Sequence, residues 1–247
     1  MLEVQSLSLR YPNGKLALSN FNVSVKPGEL VIVLGGNGSG KTTLLRCIAR
    51  TLMPTSGEIR VSGTDLTQLT GEKLRCARLK LAMISQHGSL VRRRSVLANV
   101  ATGALGRCTD WWTMLGGVRK PELDAAQGCL SEVGLLHLAA QRAGTLSGGQ
   151  AQRVAIARGL MQRPRVLLAD EPVASLDPEA SHDIMRLLRR LAAEENLAIL
   201  CVLHQVELAY AYADRVVGIR DGAVAFDLPR AEVSKDAVRR LYLSEAA

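Results

Sequence analysis

Gly35-Gly36-Asn37-Gly38-Ser39-Gly40-Lys41-Thr42-Thr43 comes directly after the apolar run Leu30-Val31-Ile32-Val33-Leu34. A buried strand running into a glycine-rich turn and then a helix is the pattern of a phosphate-binding P-loop. The glycines let successive backbone N–H groups turn inward around a polyphosphate. In that pattern Gly35, Gly36, Asn37, Gly38, Ser39 and Gly40 form the loop, Lys41 reaches the β- and γ-phosphates, and the Thr42 hydroxyl ligates Mg²⁺. Residues 43–52, from Thr43 onward, read as a helix whose N-terminal dipole favours the same anion. The alternative is a plain glycine-rich turn, and Lys41-Thr42 behind a buried strand argues against it.

The 247 residues are enough to bury a substantial core, in one large domain or two small ones. Hydrophobic residues at 47% and charged residues at 22% are ordinary for a folded protein. No uninterrupted apolar run of roughly 18 residues exists to span a bilayer. Met1-Leu2-Glu3-Val4-Gln5 carries neither a basic region nor an apolar core, so no signal peptide is expected and the chain should stay in the cytoplasm. Cys47, Cys76, Cys108, Cys129 and Cys201 are odd in number, widely spaced and without a C-x-x-C pair, which points to buried or incidental thiols rather than disulfides or zinc. Lys and Arg number 31 against 23 Asp and Glu, a net charge of +8. Only Arg92-Arg93-Arg94 forms a tight basic cluster, and aromatics at 3% leave few platforms for stacking bases, so no nucleic-acid partner is expected. A cationic surface facing anionic lipid or an acidic partner fits the charge at least as well.

Residues 2–10 and 21–25 alternate apolar and polar around the turn chemistry of Tyr11-Pro12-Asn13-Gly14, as antiparallel strands do. Tyr11 is either a base-stacking aromatic or a packing residue. After the P-loop helix, closed by residues 53–57, residues 57–63 return to strand alternation, 70–79 read as a short basic helix and 80–84 as a strand. Gln86 comes just after that strand, where open α/β sheets meet their ligands, though a surface glutamine would look the same. Residues 88–162 change to helical periodicity, read as an inserted helical subdomain broken by Gly116-Gly117 and Pro121. Within it lies Leu146-Ser147-Gly148-Gly149-Gln150. Ser147 can cap the next helix while Gly148 and Gly149 leave its N–H groups exposed, a second anion-binding helix start.

Val166-Leu167-Leu168-Ala169-Asp170-Glu171-Pro172 reads as a buried strand ending in two carboxylates. Asp170 would face Mg²⁺, directly or through water, and Glu171 would lie beside the γ-phosphate to polarise an attacking water. Ala174-Ser175-Leu176-Asp177-Pro178 turns into a helix over 179–195, and a buried strand over 197–203 delivers His204, either a γ-phosphate contact or a satisfied polar residue. Residues 214–227 read as two strands around Asp221-Gly222, and 231–247 as a polar terminal helix.

The P-loop, Gln86, Leu146 to Gln150, the strand to Asp170 with Glu171, Asp177 and His204 occur together in an order and spacing that resembles the nucleotide-binding subunits of ABC transporters. The likeness covers nearly the whole chain, and Leu146-Ser147-Gly148-Gly149-Gln150 is strongly diagnostic by itself. It implies an α/β fold, a P-loop NTPase with a RecA-like core and an antiparallel β subdomain, plus the inserted helical subdomain. Residues 1–247 would be a single ABC ATPase domain, with 1–87 and 163–247 as core and β subdomain and 88–162 as the helical signature subdomain. It further implies ATP and Mg²⁺ as cofactors, and a head-to-tail pair of copies in which the P-loop of one and the Ser147 helix of the other enclose ATP. Tyr11 would lie near adenine, Asp177 in the dimer loop, Thr42, Gln86 and Asp170 at the metal, and Glu171, His204 and Gln86 in catalysis. Gly36 departs from the pattern, where relatives often carry proline or serine.

A narrower likeness rests on Leu90 to Val100, Gly103-Ala104-Leu105-Gly106-Arg107, Trp111-Trp112, the tract from Ala169 to Pro178 and Leu203-His204-Gln205-Val206. These are similar to the ATP-binding subunits of bacterial phosphonate importers. The likeness implies a peripheral subunit on the cytoplasmic face of the bacterial inner membrane, two permease subunits as partners and a separate substrate-binding protein acting indirectly. Phosphite or another small oxyanion is the alternative cargo. A soluble ABC ATPase accessory to phosphonate metabolism and an exporter ATPase are the alternative roles.

Overall fold

The computed structural model describes residues 1–86, 89–107 and 119–242. Trp111-Trp112, Cys108, the break expected at Gly116-Gly117 and the last five residues of the expected terminal helix lie outside them. Two sheets make the framework. Strands β1 (Leu2–Arg10), β2 (Leu16–Val25), β4 (Ser56–Val61) and β5 (Thr64–Asp65) form an antiparallel sheet in the order β2-β1-β4-β5. Strands β3 (Leu30–Leu34), β6 (Leu81–Ile84), β7 (Val166–Asp170), β8 (Ala198–Leu203), β9 (Arg215–Arg220) and β10 (Ala223–Pro229) form the second, in the order β10-β9-β3-β8-β7-β6. All its pairings are parallel except β9 with β10.

The parallel strands read as unbroken apolar runs because both of their faces are covered. Val31, Val33, Leu168, Leu200 and Val202 face a core shared with the antiparallel sheet and helix α1 (Lys41–Ile48). Their neighbours Ile32, Leu34, Leu167, Ile199 and Cys201 face the opposite core. That second core is closed by α3 (Val96–Ala101), α4 (Lys120–Glu132), α5 (Gly148–Leu160), α6 (Pro178–Glu195), α7 (Val206–Tyr212) and α8 (Lys235–Tyr242); α2 (Gly71–Arg78) lies before β6. Among the described residues no helix is long and apolar enough to cross a membrane. Cys47 and Cys201 are buried, Cys129 is half-buried, Cys76 is exposed, and none of these four is in a disulfide. Burial pushes the Cys47 thiol up to about 11.

Several expected boundaries shift for visible reasons. Strand β2 starts at Leu16 rather than residue 21, because its pairing with β1 already begins with Leu16 opposite Arg10. Helix α1 stops at Ile48 rather than at residue 52, because Arg50 takes a left-handed φ of 54°. That residue is held there by its own guanidinium, which donates to the carbonyls of Leu66, Thr67 and Leu69. Pro121 does not break a helix but sits in the first turn of α4, where its missing N–H has no partner to lose. Strand β5 and helix α7 are additions to the sequence reading; both are short.

Candidate nucleotide-binding site

The loop after β3 is shaped by close approach and by handedness. A Cβ at Gly35 would lie 2.4 Å from the Ile219 carbonyl oxygen, so the chain can leave the strand there only as glycine. Gly38 and Gly40 take φ of 76° and 108°, the left-handed region that L side chains avoid. Helix α1 begins immediately afterwards, and the N–H groups of its first turn have no intrahelical acceptor. With its dipole this makes a local anion site. Gly38, Gly40, Lys41, Thr42 and Thr43 line a cavity of about 390 Å³, and Asn37, Tyr11, Glu171 and His204 line it too.

Lys41 is 5% exposed, and its Nζ donates to the carbonyls of Gly35 and Gly36 at 2.8 Å each. Burial lowers its pKa, against the opposing pull of the Glu171 and Asp170 carboxylates. Asp170 is the converse: burial raises its pKa, while the hydrogen bond from Thr42 lowers it. Thr42 Oγ1 donates to Asp170 Oδ1 at 3.2 Å. A partly buried hydroxyl and a desolvated carboxylate side by side are a hard oxygen donor set facing one point. Among the described residues no group of three or more His, Cys, Asp or Glu could hold a metal alone. A Mg²⁺ ion fits nonetheless, since it is usually held by one or two protein oxygens together with substrate phosphates and water. The buried Ser39 hydroxyl has no hydrogen-bond partner among the described residues, an open donor beside the same loop.

Strands β7 and β8 are neighbours, with Asp170 opposite Val202, so the residues just beyond each strand emerge side by side. Glu171 leaves β7 with a left-handed φ of 50°, its N–H bonded to the Val202 carbonyl at 3.1 Å. Its Oε1 lies 2.7 Å from His204 Nε2. The side chains are 20% and 36% exposed, within reach of water yet held by each other. Because β8 also pairs with β3, the ends of all three strands converge at one edge of the sheet. A carboxylate, an imidazole and a buried ammonium around a polyphosphate-sized cavity can orient and deprotonate a water.

Tyr11 is half-buried, its hydroxyl 3.2 Å from Thr43 Oγ1, which sets the ring at the first turn of α1. Leu146 to Gln150 do not line this cavity. Ser147 Oγ accepts from the Gln150 N–H at 3.2 Å and Gln150 Oε1 accepts from the Ser147 N–H at 3.0 Å, a capping box that starts α5. Ser147, Gly149 and Gln150 line a second cavity of about 390 Å³ with Asp177. Asp177 caps α6 by accepting from the Ala180 N–H at 2.8 Å. Leu146 is half-buried against the helical core, Gly148 is exposed, and Gly35 and Gly36 shape the loop from behind the cavity. Gln86 is exposed beyond the end of β6 and lines neither cavity.

Lys15 and Ala17, which the sequence reading passed over, also line the first cavity. The signal for them was the turn at Asn13-Gly14, which folds the chain back so that the residues after Tyr11 face the same space.

Residues 18–174 match the family described as ABC transporter. The chain is 46% identical over 243 residues to the phosphonates import ATP-binding protein of Bdellovibrio bacteriovorus, covering 98% of this chain and 93% of that protein. It is 49% identical over 231 residues to the protein of the same description from Frankia casuarinae, covering 92% and 90%. Among solved structures it is similar to cbiO1 from Clostridium perfringens, part of the ABC transporter complex cbiONQ, with a TM-score of 0.84 and 30% identity over 97% of this chain and 92% of that one. It is also similar to the dimeric post-hydrolysis state of the ATP-binding cassette MJ0796 bound to ADP and Pi, with a TM-score of 0.81 and 30% identity over 93% and 99%. On a family match over most of its length and relatives this similar along nearly all of it, the chain belongs to the ABC transporter family, as an ATP-binding cassette.

Proposed function

We propose that this chain is the ATP-hydrolysing subunit of a bacterial importer of phosphonates, working as two copies beneath two permease subunits and served by a separate binding protein. The single observation that carries the hydrolytic role is the convergence of Lys41, Thr42 and the Glu171–His204 pair on one cavity, with Asp170 held against Thr42 just outside its lining. The cargo rests on relatives from several genera, each named as a phosphonates import protein and matched over nearly its whole length. Phosphite stays the nearest alternative cargo.

Each residue then has a task. The loop N–H groups and Lys41 bind the phosphates, and Lys41 gives up its carbonyl partners as it does so. Thr42, Asp170 and Gln86 are the residues that would hold Mg²⁺, which when bound would neutralise phosphate charge. Glu171 takes the proton of the attacking water, and His204 holds that carboxylate and reaches the γ-phosphate. Residues 1–87 and 163–247 act as catalytic core and β subdomain, and 88–162 as the helical signature subdomain. The second cavity, at Ser147 and Asp177, belongs to the ATP of the partner copy, which accounts for a cassette with two half-sites. Tyr11 covers the adenine. Tyr11→Ala should weaken ATP binding by about 1–3 kcal/mol, read as a rise in KM for ATP with kcat little changed, because base stacking on an aromatic ring has that magnitude.

Coupling to the permease would run through rigid contacts. Asn99 is 1% exposed and ties the loop after Gln86, accepting from the Val91 N–H and donating to the Val91 and Ser95 carbonyls. Arg158, on the helix that Ser147 caps, donates to the Ser89 carbonyl at 2.8 Å. Closure on ATP would move this loop with the signature helix, at the inner face of the membrane.

Deleting the gene and growing the strain on a phosphonate as sole phosphorus source tests the assignment, with phosphate-fed cells as control. Growth should fail on phosphonate alone and return with the wild-type chain but not with Glu171→Gln. Loss of growth on phosphite only, with phosphonate growth intact, would move the cargo to phosphite.

A further inference from the structure

We propose that Gly222, in the turn between β9 and β10 and outside the cavity, is a positioning residue that aims one N–H of the phosphate loop at its ligand. The inference rests on the nucleotide reading of the first cavity. The Gly222 N–H donates to the Ser39 carbonyl at 3.0 Å, and the Gly222 carbonyl accepts from the Ser19 N–H at 2.9 Å. The turn therefore bridges β2 to the loop. In a trans peptide the carbonyl of one residue and the N–H of the next point in opposite directions. Fixing the Ser39 carbonyl towards the turn points the Gly40 N–H away from it, and Gly40 lines the cavity. The Gly40 N–H donates to no acceptor among the described residues, so it can serve a phosphate oxygen.

Only glycine serves at this position. Gly222 takes a φ of 77°, and a Cβ there would lie 2.6 Å from the Ala17 carbonyl oxygen, so the turn would have to back away. The Ala17 carbonyl is also 2.6 Å from where a Gly40 Cβ would be, so turn, strand and loop meet at one crowded point. From the other flank α8 closes the same region: Leu241 is buried, and its carbonyl lies 3.6 Å from a Cβ built on Gly36.

A matched control exists in the chain. Gly63 also takes a φ of 77°, but a Cβ there meets nothing within 4 Å. Both Gly222→Ala and Gly63→Ala carry the strain of a left-handed alanine, and only the first displaces the turn from the loop. The experiment measures melting temperature, the Kd for ATP by calorimetry in Mg²⁺-free buffer, and KM and kcat for ATP hydrolysis. Both variants should lose thermal stability, but only Gly222→Ala should weaken ATP binding and raise KM, roughly 10- to 100-fold, the worth of one hydrogen bond to a charged group. Its kcat at saturating ATP should stay within about twofold, since Glu171 and His204 are untouched. A Kd for Gly222→Ala equal to that of Gly63→Ala overturns the inference while leaving the nucleotide site in place; a wild-type chain that does not bind ATP overturns both.

Should Gly222→Ala fail to fold, the wild-type chain labelled with ¹⁵N-glycine answers the same question. The Gly40 amide signal should shift strongly when ATP is added, while the Gly222 amide stays protected from exchange. A Gly40 amide indifferent to bound ATP contradicts the proposal.

Discussion

Glu171→Gln should bind ATP as tightly as the wild-type chain, pair with its copy more persistently in the presence of ATP, and turn over roughly 10²–10⁴-fold more slowly, the range typical of losing a positioned general base. Glutamine keeps the shape of the side chain and an oxygen for the His204 contact now made at 2.7 Å. The left-handed backbone at residue 171 is unaffected, because both residues carry the same Cβ. What is lost is the capacity to accept a proton from water. Phosphate release at saturating ATP, with ATP-dependent dimerisation measured by light scattering, checks this; hydrolysis at the wild-type rate would remove Glu171 from its role.

Lys41→Ala should act at the earlier step. The Lys41 ammonium is buried among the Gly35 and Gly36 carbonyls and two carboxylates, with its charged form disfavoured by burial. Those neighbours compensate the desolvated charge only in part, and a polyphosphate supplies the rest. Removing the cation should therefore cost ATP binding ~2–5 kcal/mol, a factor in Kd of roughly 30 to several thousand. Hydrolysis falls with it. The fold itself should survive, because the same change removes a desolvated charge along with its two hydrogen bonds. A calorimetric titration with ATP and a thermal melt of the same preparation separate the two effects; unchanged affinity would contradict the assignment of Lys41 to the phosphates.

Local chemistry made much of this legible. The strands at Leu30–Leu34, Val166–Asp170 and Ala198–Leu203 read as strands because a sheet covered on both faces demands uninterrupted apolar residues. The loop from Gly35 to Lys41 and the cap at Ser147 read as anion sites because glycine handedness and side-chain capping act within a few residues. Strand order did not emerge from such patterns. That β3 lies between β8 and β9, and that β8 brings His204 beside Glu171, depends on pairings far apart in the chain. The role of Gly222 escaped for the same reason, because the neighbours of this hairpin glycine, Ser39 and Ala17, are distant in sequence. The early stop of α1 turned on the reach of Arg50 to carbonyls of residues 66–69, which no helical periodicity reports. The position of Gln86, outside both cavities, depends on how the end of β6 is set against the rest of the sheet, and motif spacing carries no information about that.

The central claim is that ATP turnover in this cassette drives phosphonate import, and its most direct measurement is uptake of a radiolabelled phosphonate by membrane vesicles containing the permease subunits, the binding protein and this chain, with ATP supplied on the cassette's side. Accumulation should require ATP, stop with Glu171→Gln or Lys41→Ala, and be competed by unlabelled phosphonate but not by sulfate. ATP hydrolysis without phosphonate accumulation, or accumulation that persists with Glu171→Gln, would contradict it.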